Sequence, residues 1–143
     1  MKYQDTQSGT WYQVTDQVAR EGNYLESSAT ALFIYTLAKA VNKGYIGKDY
    51  IQPTRKAFDG MVKTFTRLEE DGSYTITNCC AVAGLGGDSK RYRDGSFEYY
   101  ISEPVIENDP KSVGSFILAA IEYEKMDRQI KCKDMNSKND KVQ

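Results

Sequence analysis

Apolar side chains recur at helical spacing over residues 23–44, and this spacing predicts the first long helix of the chain. Asn23 stands where an N-cap belongs, and Glu26 follows three residues later, as in a capping box. Gly44 comes directly after Lys43 and ends the pattern. The apolar positions of this predicted helix are Leu25, Ala29, Leu32, Phe33, Leu37, Ala40 and Val41.

Two later segments show the same periodicity. Pro53 suits the first turn of a second helix, whose apolar positions are Ala57, Met61, Val62, Phe65 and Leu68. Asp109 and Pro110 suit the N-cap and first turn of a third helix, with apolar positions Val113, Phe116, Ile117, Ala120 and Ile121. After Asp127 the chain is polar, and we expect a frayed tail over residues 127–143.

The segments between these helices differ in character. Residues 1–22 are polar and punctuated by glycine, which predicts a loop or short extended structure. Residues 74–82 are β-branched and apolar, which predicts a strand or extended segment. The whole stretch 70–109 is long for a loop in a compact domain, and this length favours a functional role.

The first predicted helix is apolar on more than one face. Leu32, Phe33, Ile34 and Tyr35 follow one another directly, so their side chains point in all directions. A helix that is apolar on most sides expects neighbours on most sides, and three helices do not supply them all. We therefore expect the chain either to form oligomers or to be a piece of something larger.

Length and charge limit the classes of function. The chain has 143 residues, enough for one domain with a core, and its formal net charge is −1. This balance argues against a nucleic-acid binder, which normally carries a basic face. No apolar run is long enough to cross a membrane, and the polar start shows no signal peptide.

Residue types limit the chemistry further. The chain has no histidine, so general acid or base catalysis falls to carboxylates, tyrosine, lysine or cysteine. Its three cysteines are Cys79, Cys80 and Cys132. An odd number with one adjacent pair predicts neither a disulfide framework nor a metal site, and we expect no metal or cofactor.

Four segments in a fixed order resemble glycoside hydrolase family 105, the unsaturated rhamnogalacturonyl hydrolases. They read SGTWYQVTDQ, GNYLESSATALFIYTLAKAVNKGYI, NCCAVAGLGG and YRDGSFEYYISEPVIENDPKSVGSFILAAIE. The resemblance covers roughly residues 7–125 and implies a mainly α fold. This chain would supply helical hairpins from the C-terminal part of an (α/α)6 barrel, with a short extended segment in the long loop. We accordingly assign residues 1–126 to the barrel domain and residues 127–143 to a polar tail.

The resemblance also implies an activity. Family members remove unsaturated uronic acid from pectin-derived oligosaccharides: an Asp protonates the C4=C5 double bond and water adds at C5. That Asp lies in the N-terminal half of the family, and so we assign no catalytic residue and expect the chain to be inactive alone. The alternative is a sugar-binding or structural module derived from the family. The compartment, cytoplasm or periplasm, stays open.

Two carboxylates in the chain, Asp16 and Glu26, are candidates for the functional site. Asp16 reads either as a loop charge in solvent or as a carboxylate of the site. Glu26 reads either as the capping-box partner of Asn23 or as a group that points into the barrel mouth and bonds sugar hydroxyls.

Loops at the mouth of such a barrel wall the substrate cleft, and residues 84–100 would form one such wall. Arginine side chains there offer forked donors for a uronate carboxylate, and tyrosine rings offer faces for sugars. The alternative is a structural loop whose charges pair locally and whose rings pack on the helices. The substrate-binding residues we predict are Trp11, Gln13, Glu26, Arg91, Arg93 and Tyr99. The partners expected are an oligosaccharide with unsaturated uronic acid, and either a second copy or an N-terminal half.

Overall fold

The computed structural model describes residues 1–88 and 92–139, with side chains through residue 132. Most of its regular structure is helical. The helices are α1 (Ser27–Asn42), α2 (Ile51–Phe65), α3 (Phe97–Ser102) and α4 (Pro110–Asn139). The strands are β1 (Thr66–Leu68), β2 (Tyr74–Ile76), β3 (Cys79–Cys80) and β4 (Val105–Ile106).

Helix α1 begins three residues later than its sequence suggests. Glu26 is the N-cap, because its side chain accepts a hydrogen bond from the backbone N–H of Ala29. The predicted cap, Asn23, is wrong: its amide donates instead to the carbonyls of Val14 and Gln17 in the N-terminal loop. At the other end, Gly44 has a positive φ of 71°.

The end of α1 is a Schellman motif. The N–H of Tyr45 bonds the carbonyl of Ala40, and the N–H of Gly44 bonds that of Val41. The predicted stop at Gly44 is therefore confirmed.

Helix α2 is shorter at its C-terminal end than predicted. It starts at Ile51, after a 3₁₀ turn at Lys48–Tyr50, and Pro53 lies in its first turn as expected. It ends at Phe65, and Leu68 belongs to β1 and not to the helix. Strands β1 and β2 pair antiparallel around the turn that the glycine at 72 permits. The predicted strand at residues 74–82 is thus found as two short strands, β2 and β3.

The long stretch between α2 and α4 has more structure than expected. Strand β3 pairs antiparallel with β4, so that Cys79 faces Ile106 across the ladder. Between them lies α3, a short helix capped by the Ser96 side chain, which accepts from the N–H of Tyr99. Helix α3 was not predicted from the sequence, because six residues are too few to show a helical period.

Helix α4 begins where predicted and ends much later. The carboxylate of Asp109 accepts from the N–H of Lys111, as an N-cap does. The helix runs on through residue 139, so the frayed tail expected after Asp127 is wrong for residues 127–139. Ion pairs one turn apart explain this, since Glu124 bonds Arg128 and Asp127 bonds Lys131.

The core lies between α1, α2 and the first half of α4. Helices α1 and α4 run in the same direction, since Ser27 meets Ser112 near both starts and Asn42 meets Glu122 further along. The buried cluster draws on all three helices and on the N-terminal loop, through Trp11, Ala31, Ile34, Ala57, Met61, Phe65 and Ala119. Its close packing fixes where the loop and the start of α1 lie.

The N-terminal loop is pinned against α2 by two contacts. The Gln4 amide donates to the carbonyls of Gly9 and Pro53. At Gly60 the loop backbone comes so close that a Cβ would lie 1.7 Å from the carbonyl oxygen of Ser8. Only glycine accommodates this approach, and the loop that carries Trp11 is therefore held at a defined position.

A partly buried ion pair between Arg55 of α2 and Asp127 of α4 makes the stability of the fold depend on pH. Lys131 and Arg55 lower the pKa of Asp127 from its ordinary value. A carboxylate with a lowered pKa in the folded state stabilises the fold at neutral pH, and this contribution is lost as pH falls through that pKa. We expect Asp127→Asn to lower the free energy of unfolding by about 0.5–1 kcal/mol at neutral pH and by almost nothing at a pH well below the lowered pKa of Asp127.

Urea unfolding at both pH values measures this difference. The matched control is Glu124→Gln, which removes the fully solvated pair with Arg128 and should change stability little at either pH. A loss for Asp127→Asn that is equal at both pH values would contradict the prediction.

Candidate functional site

The candidate site surrounds the N-terminus of α1, and Glu26 is its buried centre. The carboxylate is 1% exposed. One oxygen accepts from the Cys80 N–H at 3.0 Å and the Ser28 hydroxyl at 2.8 Å, and the other accepts from the Ala29 N–H at 2.6 Å. Three protein donors thus satisfy the carboxylate, which is the N-cap of α1 itself and not the capping-box partner of Asn23; the expected contact with sugar hydroxyls stays a prediction.

Trp11 is likewise anchored inside the protein. The backbone N–H of Trp11 donates to the Thr30 hydroxyl, and the backbone carbonyl of Trp11 accepts from the backbone N–H of Glu26. The indole is 6% exposed and meets the Phe33 ring edge-on, with ring centroids 5.0 Å apart. These contacts show Trp11 as a packed anchor of the N-terminal loop, and its predicted contact with substrate stays a prediction.

Gln13 lies next to Trp11 at the rim of the loop. Its backbone N–H donates to the carbonyl of Tyr24, while its side chain is half-buried. The role of the Gln13 amide as a substrate contact stays a prediction.

The glycine-rich segment that we expect to wall the cleft follows this centre in the chain, directly after β3. Its residues Gly86 and Arg93 lie antiparallel and exchange two backbone hydrogen bonds, of 2.8 and 3.0 Å. Arg91 lies outside the described residues. The Tyr99 hydroxyl accepts from the N–H of Gly84, and the side chain of Arg93 passes 3.5 Å from the place a Cβ at Gly84 would take. The Arg93 side chain therefore packs against the backbone at Gly84 at ordinary van der Waals distance.

Two residues set the electrostatics of the wall. Glu103 is a buried carboxylate, 2% exposed, at the end of α3. Partial burial and this carboxylate raise the pKa of the Tyr99 hydroxyl, which therefore stays protonated. Arg93 supplies positive charge beside them, and its Nε is buried without a hydrogen-bond partner among the described residues.

Strand β3 connects the wall to the buried centre. The N–H of Cys80 bonds Glu26, and the N–H of Ala81 bonds the carbonyl of Pro104, next to Glu103. The structure therefore brings Trp11, Glu26, Arg93 and Tyr99 into one network, although its ends, Trp11 and Tyr99, lie 88 positions apart in sequence.

Sequence reasoning missed three members of this network. Tyr24 is half-buried with its hydroxyl oxygen inside the protein, and burial together with the neighbouring Cys80 raises its pKa. Lys111 donates to the Cys79 thiol at 3.3 Å, although burial dominates at Cys79 and raises its pKa. Glu103 was given no role from the sequence. The one available signal was its place directly before a proline, at the end of an aromatic run.

The other chemical candidates lie elsewhere. Asp16 is exposed on the N-terminal loop, as expected of a charge in solvent. Among residues 1–88 and 92–139 no group of histidine, cysteine, aspartate or glutamate is arranged to hold a metal ion. No helix in the same part of the chain is both long enough and apolar enough to cross a membrane.

Comparison with known families decides the assignment. The sequence model of Glycosyl Hydrolase Family 88 matches residues 1–127, which is most of the chain. The chain belongs to Glycosyl Hydrolase Family 88. Two curated relatives of this family member are 40% identical to it over 121 residues: Protein Atu3128 of Agrobacterium fabrum and the 24.9 kDa protein in the picA locus of Rhizobium radiobacter. The match covers 82% of this chain and 52% of each relative, so the chain spans about half their length.

Solved structures confirm the resemblance to family 105 and the fold. A glycoside hydrolase of family 105 from C. acetobutylicum superposes with a TM-score of 0.82 and is 45% identical over 86% of this chain. A structure from Salmonella enterica, described as a possible family 105 member, gives a TM-score of 0.67 at 30% identity over 85% of the chain. This chain covers only 34% and 28% of those proteins. The mainly helical architecture is thus that of part of an α/α barrel.

The two candidate carboxylates of this family member should behave differently when neutralised. Glu26→Gln replaces one of the two acceptor oxygens by an NH₂ group, so that either the Ala29 N–H or the Cys80 N–H loses its acceptor. We expect it to lower the free energy of unfolding by about 1–3 kcal/mol. Urea denaturation followed by circular dichroism measures the loss.

Asp16→Asn is the matched control, because it makes the same chemical change on an exposed loop. It should leave stability within about 0.5 kcal/mol. Equal stability of both variants would mean that Glu26 does not hold the start of α1.

Proposed function

We propose that this chain is part of an unsaturated rhamnogalacturonyl or galacturonyl hydrolase, which removes unsaturated uronic acid from pectin-derived oligosaccharides. The observation that carries the proposal is the similarity to the C. acetobutylicum family 105 hydrolase, at 45% identity over 86% of the chain. Membership of the hydrolase family supports glycosidic chemistry, and the likeness to family 105 supports the unsaturated uronic acid as the sugar removed.

The proposed reaction begins at the double bond and not at the anomeric carbon. An Asp of the whole hydrolase protonates C4 of the C4=C5 bond, and water adds at C5 with loss of its proton. The hydrated sugar opens its ring, and the neighbouring sugar leaves with its oxygen protonated. We place that Asp outside this chain, because Glu26 is enclosed by protein donors and Asp16 lies on an exposed loop.

Within this chain we propose that Arg93 binds the carboxylate of the uronic acid. Its Nε is the donor left without a partner among the described residues, and a buried donor is stabilised by gaining an acceptor. A guanidinium matches a carboxylate in geometry as well as in charge. Tyr99 stands beside it as a protonated hydroxyl, and the 68% exposed ring of Tyr92 offers a face to the sugar.

Turnover of an unsaturated galacturonyl-rhamnose disaccharide tests the proposal. The signal is the ultraviolet absorbance of the C4=C5 bond, which disappears on hydration. We expect no loss with this chain alone. We expect loss with a chimeric hydrolase, in which this chain replaces the matched segment of the C. acetobutylicum protein.

Each outcome of this assay has a meaning. Loss with the chain alone would place the catalytic acid within it and would make Asp16 the first residue to replace. A folded chimera that leaves the absorbance unchanged would overturn the proposed substrate. Binding of the disaccharide by the chain alone without turnover would favour the sugar-binding module.

The role of Arg93 is tested in the same chimera. Arg93→Gln should raise KM for the disaccharide about 10- to 100-fold, because a hydrogen bond between charged groups contributes about 1.5–3 kcal/mol. Arg20→Gln is the matched control: Arg20 is a nearby arginine that pairs with Glu98 and stacks on Phe97. If the two variants change KM equally, Arg93 does not bind the carboxylate.

A further inference from the structure

A groove runs along α2 where the N-terminal loop lies against that helix. Its volume is about 710 Å³, within the range of roughly 300–1,000 Å³ that sites for small molecules occupy. Gln7 and Ser8 form the loop side, and the helix side extends from Gln52 to Thr64. Because a helix rises about 1.5 Å per residue, this side is roughly 18 Å long. We call it the α2 groove; the residues of the candidate site do not line it.

The walls of the α2 groove are held in fixed positions. The loop touches the helix at Gly60, where a Cβ would lie 1.7 Å from the carbonyl oxygen of Ser8. The side chain of Lys56 packs just as closely on Gly9, where a Cβ would lie 2.7 Å from its Cγ, and its ammonium donates to the carbonyl of Thr6. A ligand in the groove therefore meets walls that need little further ordering.

Positive charge exceeds negative charge in the α2 groove. The described residues that line it include Arg55, Lys56 and Lys63 but only one carboxylate, that of Asp59. The chain as a whole has a net charge of −1, so this excess is a local feature. Arg55 gives one NH₂ group to Asp127, which leaves the other N–H donors of its guanidinium available.

Several polar side chains of the α2 groove are not used by the fold. Within residues 1–88 and 92–132, the side chains of Lys63, Gln52 and Thr64 make no ion pair or hydrogen bond. An ammonium group suits a carboxylate, and an amide and a hydroxyl suit the hydroxyl groups of a sugar. The groove thus combines donors for both parts of a sugar acid.

The spacing of the cations favours a ligand with more than one carboxylate. Lys56 and Lys63 are two helical turns apart, which is roughly 10 Å along the axis. Every residue of an oligosaccharide of uronic acids carries a carboxylate, and two such residues span a comparable length. No aromatic side chain lines the groove among the described residues, so a neutral sugar finds no ring to stack on.

We propose that the α2 groove is a second binding site, which holds an acidic oligosaccharide of uronic acids by its carboxylates. The site is separate from the one at the start of α1, and it binds the sugar chain without cleaving it. The inference goes beyond the proposed function and takes from it only the class of sugar.

Calorimetric titration of this chain with trigalacturonate tests the proposal. All titrations use the Arg93→Gln variant, so that binding at Arg93 does not contribute and the result is independent of the proposed function. We expect binding at low ionic strength and an affinity about 5-fold or more lower in about 0.5 M salt, because salt screens exposed charges. The methyl-esterified trisaccharide, which has the same sugar rings without the charges, should not bind.

Two substitutions at exposed positions of α2 should change the affinity in opposite directions. Lys63→Gln removes a cation of the groove and should weaken binding of trigalacturonate about 3- to 5-fold. Asp59→Asn removes the carboxylate that repels the ligand and should strengthen binding about 2- to 3-fold. Lys43→Gln is the matched control, because it removes the same charge at an exposed position just after α1, outside the groove.

Three results would overturn the proposal. The first is that trigalacturonate does not bind at low ionic strength. The second is that Lys63→Gln weakens binding no more than Lys43→Gln does, which would place the sugar elsewhere on the surface. The third is that a short RNA of equal charge binds as tightly as trigalacturonate, because the groove would then bind anions without regard to the sugar.

Discussion

The buried carboxylate of Glu26 is the interaction on which the site depends. It accepts from the first turn of α1 and from the backbone of β3, and so it joins the start of a core helix to the segment that leads into the glycine-rich wall. A charge with 1% exposure is stable only when its lone pairs are occupied, and three donors occupy them. Removing one of these donors would leave the buried carboxylate with an unsatisfied lone pair. The position of β3 and the position of the first turn of α1 therefore depend on each other.

The sequence predicted the long helices well, and for a clear physical reason. The period of α1 and its glycine stop, and the Asp109 cap of α4, are local features that survive tertiary packing. The capping residue of α1 was misplaced because Asn23 and Glu26 both fit a cap by residue type. Tertiary hydrogen bonds decided between them: the Asn23 amide holds the N-terminal loop together, and Glu26 reaches β3.

Long-range contacts explain the rest of what the sequence did not reveal. The polar stretch after Asp127 looked frayed in isolation, yet Asp127 pairs with Arg55 of α2 across the fold and with Lys131 one turn away. The segment between α2 and α4 looked like one loop in the sequence, because β3 and β4 are short strands that pair only in the folded chain. Trp11 and Arg93 were singled out by residue type, but their burial depends on partners elsewhere in the chain.

The parallel arrangement of α1 and α4 has an electrostatic consequence. Both helices start at the same end of the molecule, so the positive ends of two helix dipoles lie side by side there. The chain itself supplies an anion to each one, Glu26 to α1 and Asp109 to α4. The Ala29 and Lys111 N–H groups at this end therefore already have a carboxylate acceptor within the chain itself.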